Sequence, residues 1–162
     1  MNWMFLPFKR YFDFSGRSRR MEFWMFNLLN FIIACVLVGP FYVQMISAVF
    51  TSAEMANQGA EFNENMMVAS LMSSPVSLAM VGLYGLYALF ALIPSLAVTV
   101  RRLHDRNLSG WWYLGMIVAS LIPLVGFIAG IAFLVIMFLD GTPGSNRFGP
   151  DPKGRADVEA FS

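Results

Sequence analysis

Three stretches of this chain carry no Asp, Glu, Lys or Arg: Phe23 to Ala53 (31 residues), Asn65 to Val100 (36) and Asn107 to Leu139 (33). A helix needs about 20 mainly apolar residues to cross a hydrocarbon layer about 30 Å thick, so each stretch is long enough with residues to spare. They occupy 100 of the 162 positions, which leaves too little chain for a separate soluble domain. Charged residues make up 13% of the whole, against about 25% in ordinary soluble domains. The expected class is an all-α membrane protein, a small bundle of three transmembrane helices with an N-terminal interfacial segment.

The net charge of +1 conceals an alternation along the chain. Residues 1–22 hold Lys9, Arg10, Arg17, Arg19 and Arg20 against Asp13 and Glu22. Segment 54–64 holds only Glu54, Glu61 and Glu64, and segment 101–106 holds Arg101, Arg102 and Arg106 against Asp105. Lys and Arg are retained on the cytoplasmic side during insertion, so the N-terminus and the 101–110 loop are expected inside and the acidic loop outside. Three crossings then leave the tail from Asp140 outside, although it carries both signs. A cleaved signal peptide has an apolar core of about 7 to 15 residues; the run after Glu22 is about twice that and is expected to stay as an anchor.

The chain divides accordingly. Residues 1–21 mix Trp3, Phe5, Phe8 and Phe12 with cations, the composition of a headgroup-level segment. The first span is placed at 22–50, kinked or ended at Gly39-Pro40, with Asn27, Asn30 and Gln44 expected each to bond a neighbouring helix or to reach the interface. An acidic loop over 51–75 includes an interfacial piece at Met66 to Met72, and the second span covers 76–100 with Pro94 near its end. A strip of Ala79, Gly82, Gly85 and Ala88 permits close helix approach, and Tyr84 and Tyr87 beside it read as packing aromatics. Cys35 has no partner cysteine and reads as a packing residue. The third span, 111–139, opens on the belt residues Trp111 and Trp112 after a capping Ser109. Pro123 and Gly126 interrupt it: either one kinked helix, the favoured reading, or a re-entrant turn whose arms are too short to cross. Gly126 and Gly130 form a GxxxG contact signal, compatible with contact inside the chain or with another copy. The Gly- and Pro-rich tail, 140–162, is expected to be turn-rich and surface-exposed.

The densest polar run is Arg101-Arg102-Leu103-His104-Asp105-Arg106-Asn107. Arg101 and Asp105, four apart, share a helix face and are expected to pair. His104, Asp105 and Ser109 are the residue types of a hydrolytic triad, but adjacent helical residues point about 100° apart and no oxyanion hole is evident. One His without other ligands makes no metal site. The Asn107-Leu108-Ser109 sequon abuts the membrane and reads as accidental. No enzyme activity, metal or cofactor is expected. The electrostatic reading is stronger: Arg17, Arg19, Arg20, Arg101, Arg102, His104, Asp105, Arg106, Trp111 and Trp112 form a cytoplasmic collar, each cation worth about 1 kcal/mol against an anionic leaflet. Topology alone also requires such charges. The partners expected are anionic membrane lipids, a second copy or another membrane protein, and not nucleic acid.

Three segments carry a family likeness: Tyr11-Phe12-Asp13-Phe14-Ser15-Gly16-Arg17-Ser18-Arg19-Arg20-Met21-Glu22-Phe23-Trp24, then Arg101-Arg102-Leu103-His104-Asp105 through Ser109-Gly110-Trp111-Trp112, and Asn146-Arg147-Phe148-Gly149-Pro150-Asp151-Pro152. In this order they resemble the domain of unknown function 805 family (DUF805), the YhaH-like bacterial inner-membrane proteins. The resemblance implies a small multi-helix inner-membrane protein and carries over no catalytic role. The motifs suggest one joint polar site, knitted by Asp13, Glu22 and Asp105, which Arg147 and Asp151 join if the third stretch is re-entrant. Two functions follow as expectations: an accessory membrane protein that binds anionic lipid or a partner, or a subunit of a small oligomeric transporter or channel. Transport sites place ionisable groups inside the membrane; here none lies inside a span, which favours the first.

Overall fold

The computed structural model describes residues 2–59, 65, 68, 69 and 72–155, so most of the interfacial piece expected at Met66 to Met72, and Glu61 and Glu64, lie outside the described residues. Among the described residues five helices are assigned in order: α1 (Leu6–Lys9), α2 (Arg20–Asn57), α3 (Pro75–Asp105), α4 (Trp111–Ala119) and α5 (Pro123–Phe138). α2 runs through Gly39-Pro40 without ending there. α2 and α3 are both long and apolar enough to cross a bilayer. None of the most apolar window of α2 is buried, and only 11% of that of α3. A soluble core helix hides such a surface; these two present it outward, as lipid-solvated helices do.

The chain forms two compact units, Leu29–Phe90 and the pair of segments Met1–Leu28 and Ala91–Ser162. In the first, the Tyr87 hydroxyl donates to Asn30 Oδ1 at 2.7 Å, so the amide of α2 finds a partner on α3. This is the polar glue expected for an amide in hydrocarbon. Asn27, in the other unit, instead donates to the Phe23 carbonyl of its own helix at 2.8 Å.

The second unit holds a small apolar core of Phe23, Phe26, Val98, Leu103 and Met137, rimmed by Phe8, Trp24, Leu108, Tyr113, Phe133 and Ile136. Trp24 stacks on Phe138 with ring centroids 4.2 Å apart, and Phe8 meets Phe26 edge-on at 5.1 Å. The end of α3 is shaped by Asn107, which adopts φ 58°. Its N–H donates to the His104 carbonyl and that of Leu108 to the Leu103 carbonyl, both at 2.9 Å. That is the Schellman pattern, in which an αL residue closes the helix; Asn is the non-glycine residue best suited to it. Leu108 and Leu103 meet in the core, the apolar contact that accompanies the motif. The sequon asparagine thus has a structural role.

The single kinked span favoured for 111–139 does not form. The chain breaks at Ser120 to Ile122, and α4 and α5 fold against each other. A shared crevice is lined by Tyr113, Met116, Ile117 and Ser120 from one side and Gly126, Ala129, Gly130 and Phe133 from the other. Contacts that pair 113 with 133 and 120 with 126 are antiparallel: the re-entrant alternative. At 1.5 Å per residue, α4 reaches about 14 Å and α5 about 24 Å, and neither matches a bilayer of about 30 Å. Pro123 supplies the break because it fits a helix start and not an interior.

Gly126 makes the reversal possible. A Cβ there would lie 2.8 Å from Ser120 Cα and 3.0 Å from its carbonyl oxygen. At Gly82, Gly85 and Gly130 nothing described lies within 4 Å, so of the four glycines read as packing positions Gly126 alone meets a close neighbour. Gly126→Ala is therefore expected to destabilise the protein in detergent by about 1–3 kcal/mol through overpacking. Gly130→Ala, into open space with better helix propensity, should unfold at or above the wild-type temperature. Equal melting temperatures for the two variants would refute the tight turn.

Candidate functional site

Among the described residues of the second unit, six charged side chains are buried: Arg17, Arg101 and Arg102 against Glu22, Asp105 and Asp151. Three of each sign make the set neutral. They come from the turn before α2, the first turn of α2, the last turns of α3 and the tail.

Arg101 fastens the N-terminal segment to α3. Its Nη2 lies 2.9 Å from Glu22 Oε1, and its Nη1 donates to the Asp13 carbonyl. The turn it grips is held by its own bonds. Arg10 donates to Asp13 Oδ2 at 2.8 Å, and the Ser15 hydroxyl and N–H donate to Asp13 Oδ1 at 2.6 and 3.0 Å. The Ser15 hydroxyl first, then Arg10, hold the Asp13 carboxyl down to about 2. Gly16, at φ 76°, completes the reversal. Ser18, just ahead of α2, does not cap that helix: it is fully buried, its N–H donates to the Arg101 carbonyl at 3.1 Å, and its hydroxyl has no partner among the described residues.

Arg102 serves the hairpin. It pairs with Asp105 at 2.5 Å and donates to the carbonyls of Met137 and Leu139. The last carbonyls of a helix lack intrahelical donors and carry the negative end of its dipole, so a guanidinium placed there satisfies both needs of α5. The Arg101–Asp105 pair expected from spacing is absent. Asp105 has i,i+3 and i,i+4 candidates on its face; Arg102 takes it, while Arg101 turns to Glu22.

Arg17 holds the tail. Its Nε donates to Asp105 Oδ1 at 3.0 Å, Nη1 to the Gly144 carbonyl at 2.6 Å and Nη2 to the Thr142 carbonyl at 2.5 Å. The tail in turn caps α3. Thr142 N–H donates to the Asp105 carbonyl at 2.9 Å and Asn146 Nδ2 to that of His104 at 3.0 Å. Arg19 donates to the Pro152 carbonyl and sits 5.6 Å from the Trp3 ring centroid. The tail expected on the far side of the membrane therefore lies with both other motifs, because the hairpin returns the chain to the end from which it left. It is turn-rich, with an isolated bridge between Asn146 and Gly149, but clasped; residues 156–162 lie outside the described residues.

The collar expected to meet anionic lipid is thus internal in part. Arg17, Arg101 and Arg102 are buried and paired, as is Asp105, so none of these can contact a headgroup. Arg19 is half-buried on the tail, and Arg106 donates to the Asp140 carbonyl. Arg20 is exposed, 3.9 Å from Asp140, and Trp111 and Trp112 are exposed at the start of α4. Ser109 accepts from the Trp111 N–H only at 3.4 Å, a weak cap. His104 stacks on Phe148, centroids 3.8 Å apart and 5° from parallel, with Nδ1 3.1 Å from the Gly16 carbonyl. His104 and Asp105 therefore spend their side chains on different partners, not on each other or Ser109. Among the described residues no group of three His, Cys, Asp or Glu can hold a metal.

The tail clasp carries a pH signature. Burial pushes the Asp151 carboxyl up, but Arg155 at 2.6 Å, the Lys153 N–H and the nearby Arg17 outweigh it and hold it to about 2, below its ordinary 3.8. A carboxyl depressed in the folded state lends stability above its unfolded value and loses it as pH falls through the folded one. Tail amides of Thr142, Asn146 and Gly149 should stay protected from hydrogen exchange at pH 5 and lose protection between pH 4 and 2. Protection that is flat across that window would rule out carboxylate control.

The model of a protein family described as "Protein of unknown function (DUF805)" matches residues 11–150. The chain belongs to the DUF805 family. It is 34% identical over 153 residues to the inner membrane protein YhaI of Escherichia coli K12, covering 94% of this chain and 97% of that protein. To the inner membrane protein YhaH of the same strain it is 32% identical, covering 94% and 98%. No solved structure matches. The matched DUF805 region contains the buried arginines and carboxylates apart from Asp151, which lies one residue beyond it.

Proposed function

We propose that this DUF805 protein is a non-catalytic accessory protein of the inner membrane, anchored by α2 and α3, that gathers anionic phospholipid at its cytoplasmic face. The observation that carries this reading is the neutrality of the buried cluster. Its arginines are consumed in joining the N-terminal turn, the hairpin and the tail, and no charged group there is left over for chemistry or transport. What faces outward is a different set: the exposed cations Lys9, Arg20 and Arg147 among exposed Phe5, Phe12, Trp111 and Trp112. Rings at headgroup level and cations against an anionic leaflet are the two elements of interfacial lipid selection.

The hairpin strengthens the orientation. All 11 Lys and Arg of the chain lie in the N-terminal segment, the 101–106 connector and the tail, while segment 54–64 has only acids. With the tail beside the other two, the positive-inside rule is obeyed throughout, and three crossings would have exported three cations. The transporter alternative draws no support from a site whose charges are paired.

The test is lipid selectivity in reconstituted vesicles, read from the motionally restricted fraction of spin-labelled phosphatidylglycerol against phosphatidylcholine. Wild type should prefer the anionic lipid, and a Lys9→Gln, Arg20→Gln, Arg147→Gln variant should lose most of the preference. Indifference of the wild type to lipid charge would contradict the reading.

A further inference from the structure

A groove of about 710 Å³ opens where α3 ends and α4 begins. One wall is the α3 face of Leu96, Val100 and His104, spaced four apart; the other is the α4 face of Trp111, Leu114 and Ile117, spaced three apart. Ser109 and His104 are the polar members at the connector end, Phe14 and Tyr113 add aromatic rings, and Leu96, Leu114 and Ile117 are aliphatic. Its lining includes no Asp or Glu.

An exposed cation is tethered to the connector that leads to Ser109. Arg147 is exposed, donates to the Asn107 carbonyl at 3.0 Å, and lies 4.7 Å from the centroid of the Phe148 ring that stacks on His104. The tail clasp thus holds an exposed guanidinium on the connector two residues before Ser109, while the buried arginines are spent inside the protein. The groove lining sets no carboxylate against that charge, and its walls match hydrocarbon.

We infer that this groove seats one anionic phospholipid, with its phosphate at Arg147 and Ser109 and one acyl chain between Leu96 and Ile117. The inference rests on the proposed lipid-gathering role and gives it a discrete site. A zwitterionic lipid has the same chains but gains nothing net from the guanidinium, so selectivity resides in the single cation and occupancy in the walls. The tail decides both, because the docking of Asn146 and Phe148 on His104 holds Arg147 beside the connector.

Native mass spectrometry of the full chain, stripped of lipid in detergent and re-supplied with equimolar dipalmitoyl phosphatidylglycerol and dipalmitoyl phosphatidylcholine, tests this. Wild type should retain one phosphatidylglycerol preferentially. Arg147→Gln should reduce that preference about five-fold, the worth of one interfacial cation of about 1 kcal/mol. Leu96→Trp with Ile117→Trp, which fills the groove, should remove the bound lipid of either kind while the vesicle selectivity described above persists through Lys9 and Arg20. Retention of the lipid by the filled variant would overturn the groove and leave the wider lipid reading standing. A dimer mass in the wild type that vanishes on filling would assign the groove to a second copy and overturn the proposal. Loss of vesicle selectivity in the wild type would instead defeat the wider reading.

Discussion

Glu22→Ala is expected to cost about 3–5 kcal/mol, a large part of the stability of a protein this size, because it strands Arg101. The Arg101 guanidinium is fully buried, and among the described residues its ion pair with Glu22 is the one carboxylate contact within 3 Å that it makes. Taking a charge out of water is costly, and attraction to a partner offsets that cost only while the partner is present. Arg101→Ala should be comparably damaging for the converse reason, since it also leaves the Asp13 carbonyl and the turn around Gly16 without their clasp. The double replacement Glu22→Leu, Arg101→Met should be less damaging than the worse single, because no buried charge remains unpaired. Denaturant-induced unfolding in mixed micelles, followed through tryptophan emission, gives all four stabilities; a double replacement as unstable as the worse single, or more so, would show that the stranded charge is not what is lost.

Asp105→Asn is expected to be at least as severe, and to differ in kind. One carboxylate serves two buried arginines, Arg17 at 2.9 Å and Arg102 at 2.5 Å. Its loss leaves two guanidinium groups without their shortest carboxylate, so the cost should reach or exceed the 3–5 kcal/mol of a single broken buried pair. Arg17 holds the tail carbonyls and Arg102 the end of α5, so two elements should loosen together. Hydrogen exchange should rise both in 142–149 and in the last turn of α5, whereas Glu22→Ala should spare the tail. A neighbouring substitution reaches the same place by steric means: a Cβ at Gly141 would fall on the Asp105 carboxylate. Gly141→Ala should therefore mimic the tail release of Asp105→Asn without removing a charge. If Asp105→Asn loosened the tail alone, the shared-carboxylate account of the hairpin would be wrong.

The helical membrane class was legible because charge-free length is a local property: Phe23 to Ala53 and Asn65 to Val100 declare spans whatever their neighbours do. The family was legible because Ser15-Gly16-Arg17 and Leu103-His104-Asp105 are unusual words. Pairing was not. Glu22 and Arg101 are 79 positions apart, and nothing in spacing selects Glu22 for Arg101 over the nearer Asp105. The same blindness made the arginines look like an exposed collar. Cations beside apolar spans usually mark an interface, and only the returning tail, with Asp151 and its carbonyls, closes them off. Two signals were present and could have been weighed more heavily. Pro123 and Gly126 sit where a single helix would be about 29 residues long, too long for comfort, and both suit a reversal. Asn107, directly after a helix end rich in cations, fits the αL closing position better than a glycan acceptor.

The central claim is that the N-terminal segment, the 101–110 connector and the tail form one clasp at a single face of the membrane. The direct measurement is labelling of Lys9→Cys and, separately, Pro150→Cys, both at exposed positions and both in a Cys35→Ser background, with a membrane-impermeant maleimide. The account predicts that both cysteines react in inside-out inner-membrane vesicles and neither in right-side-out spheroplasts. Reaction of the two in opposite preparations would place the tail across the bilayer from the N-terminus and contradict it.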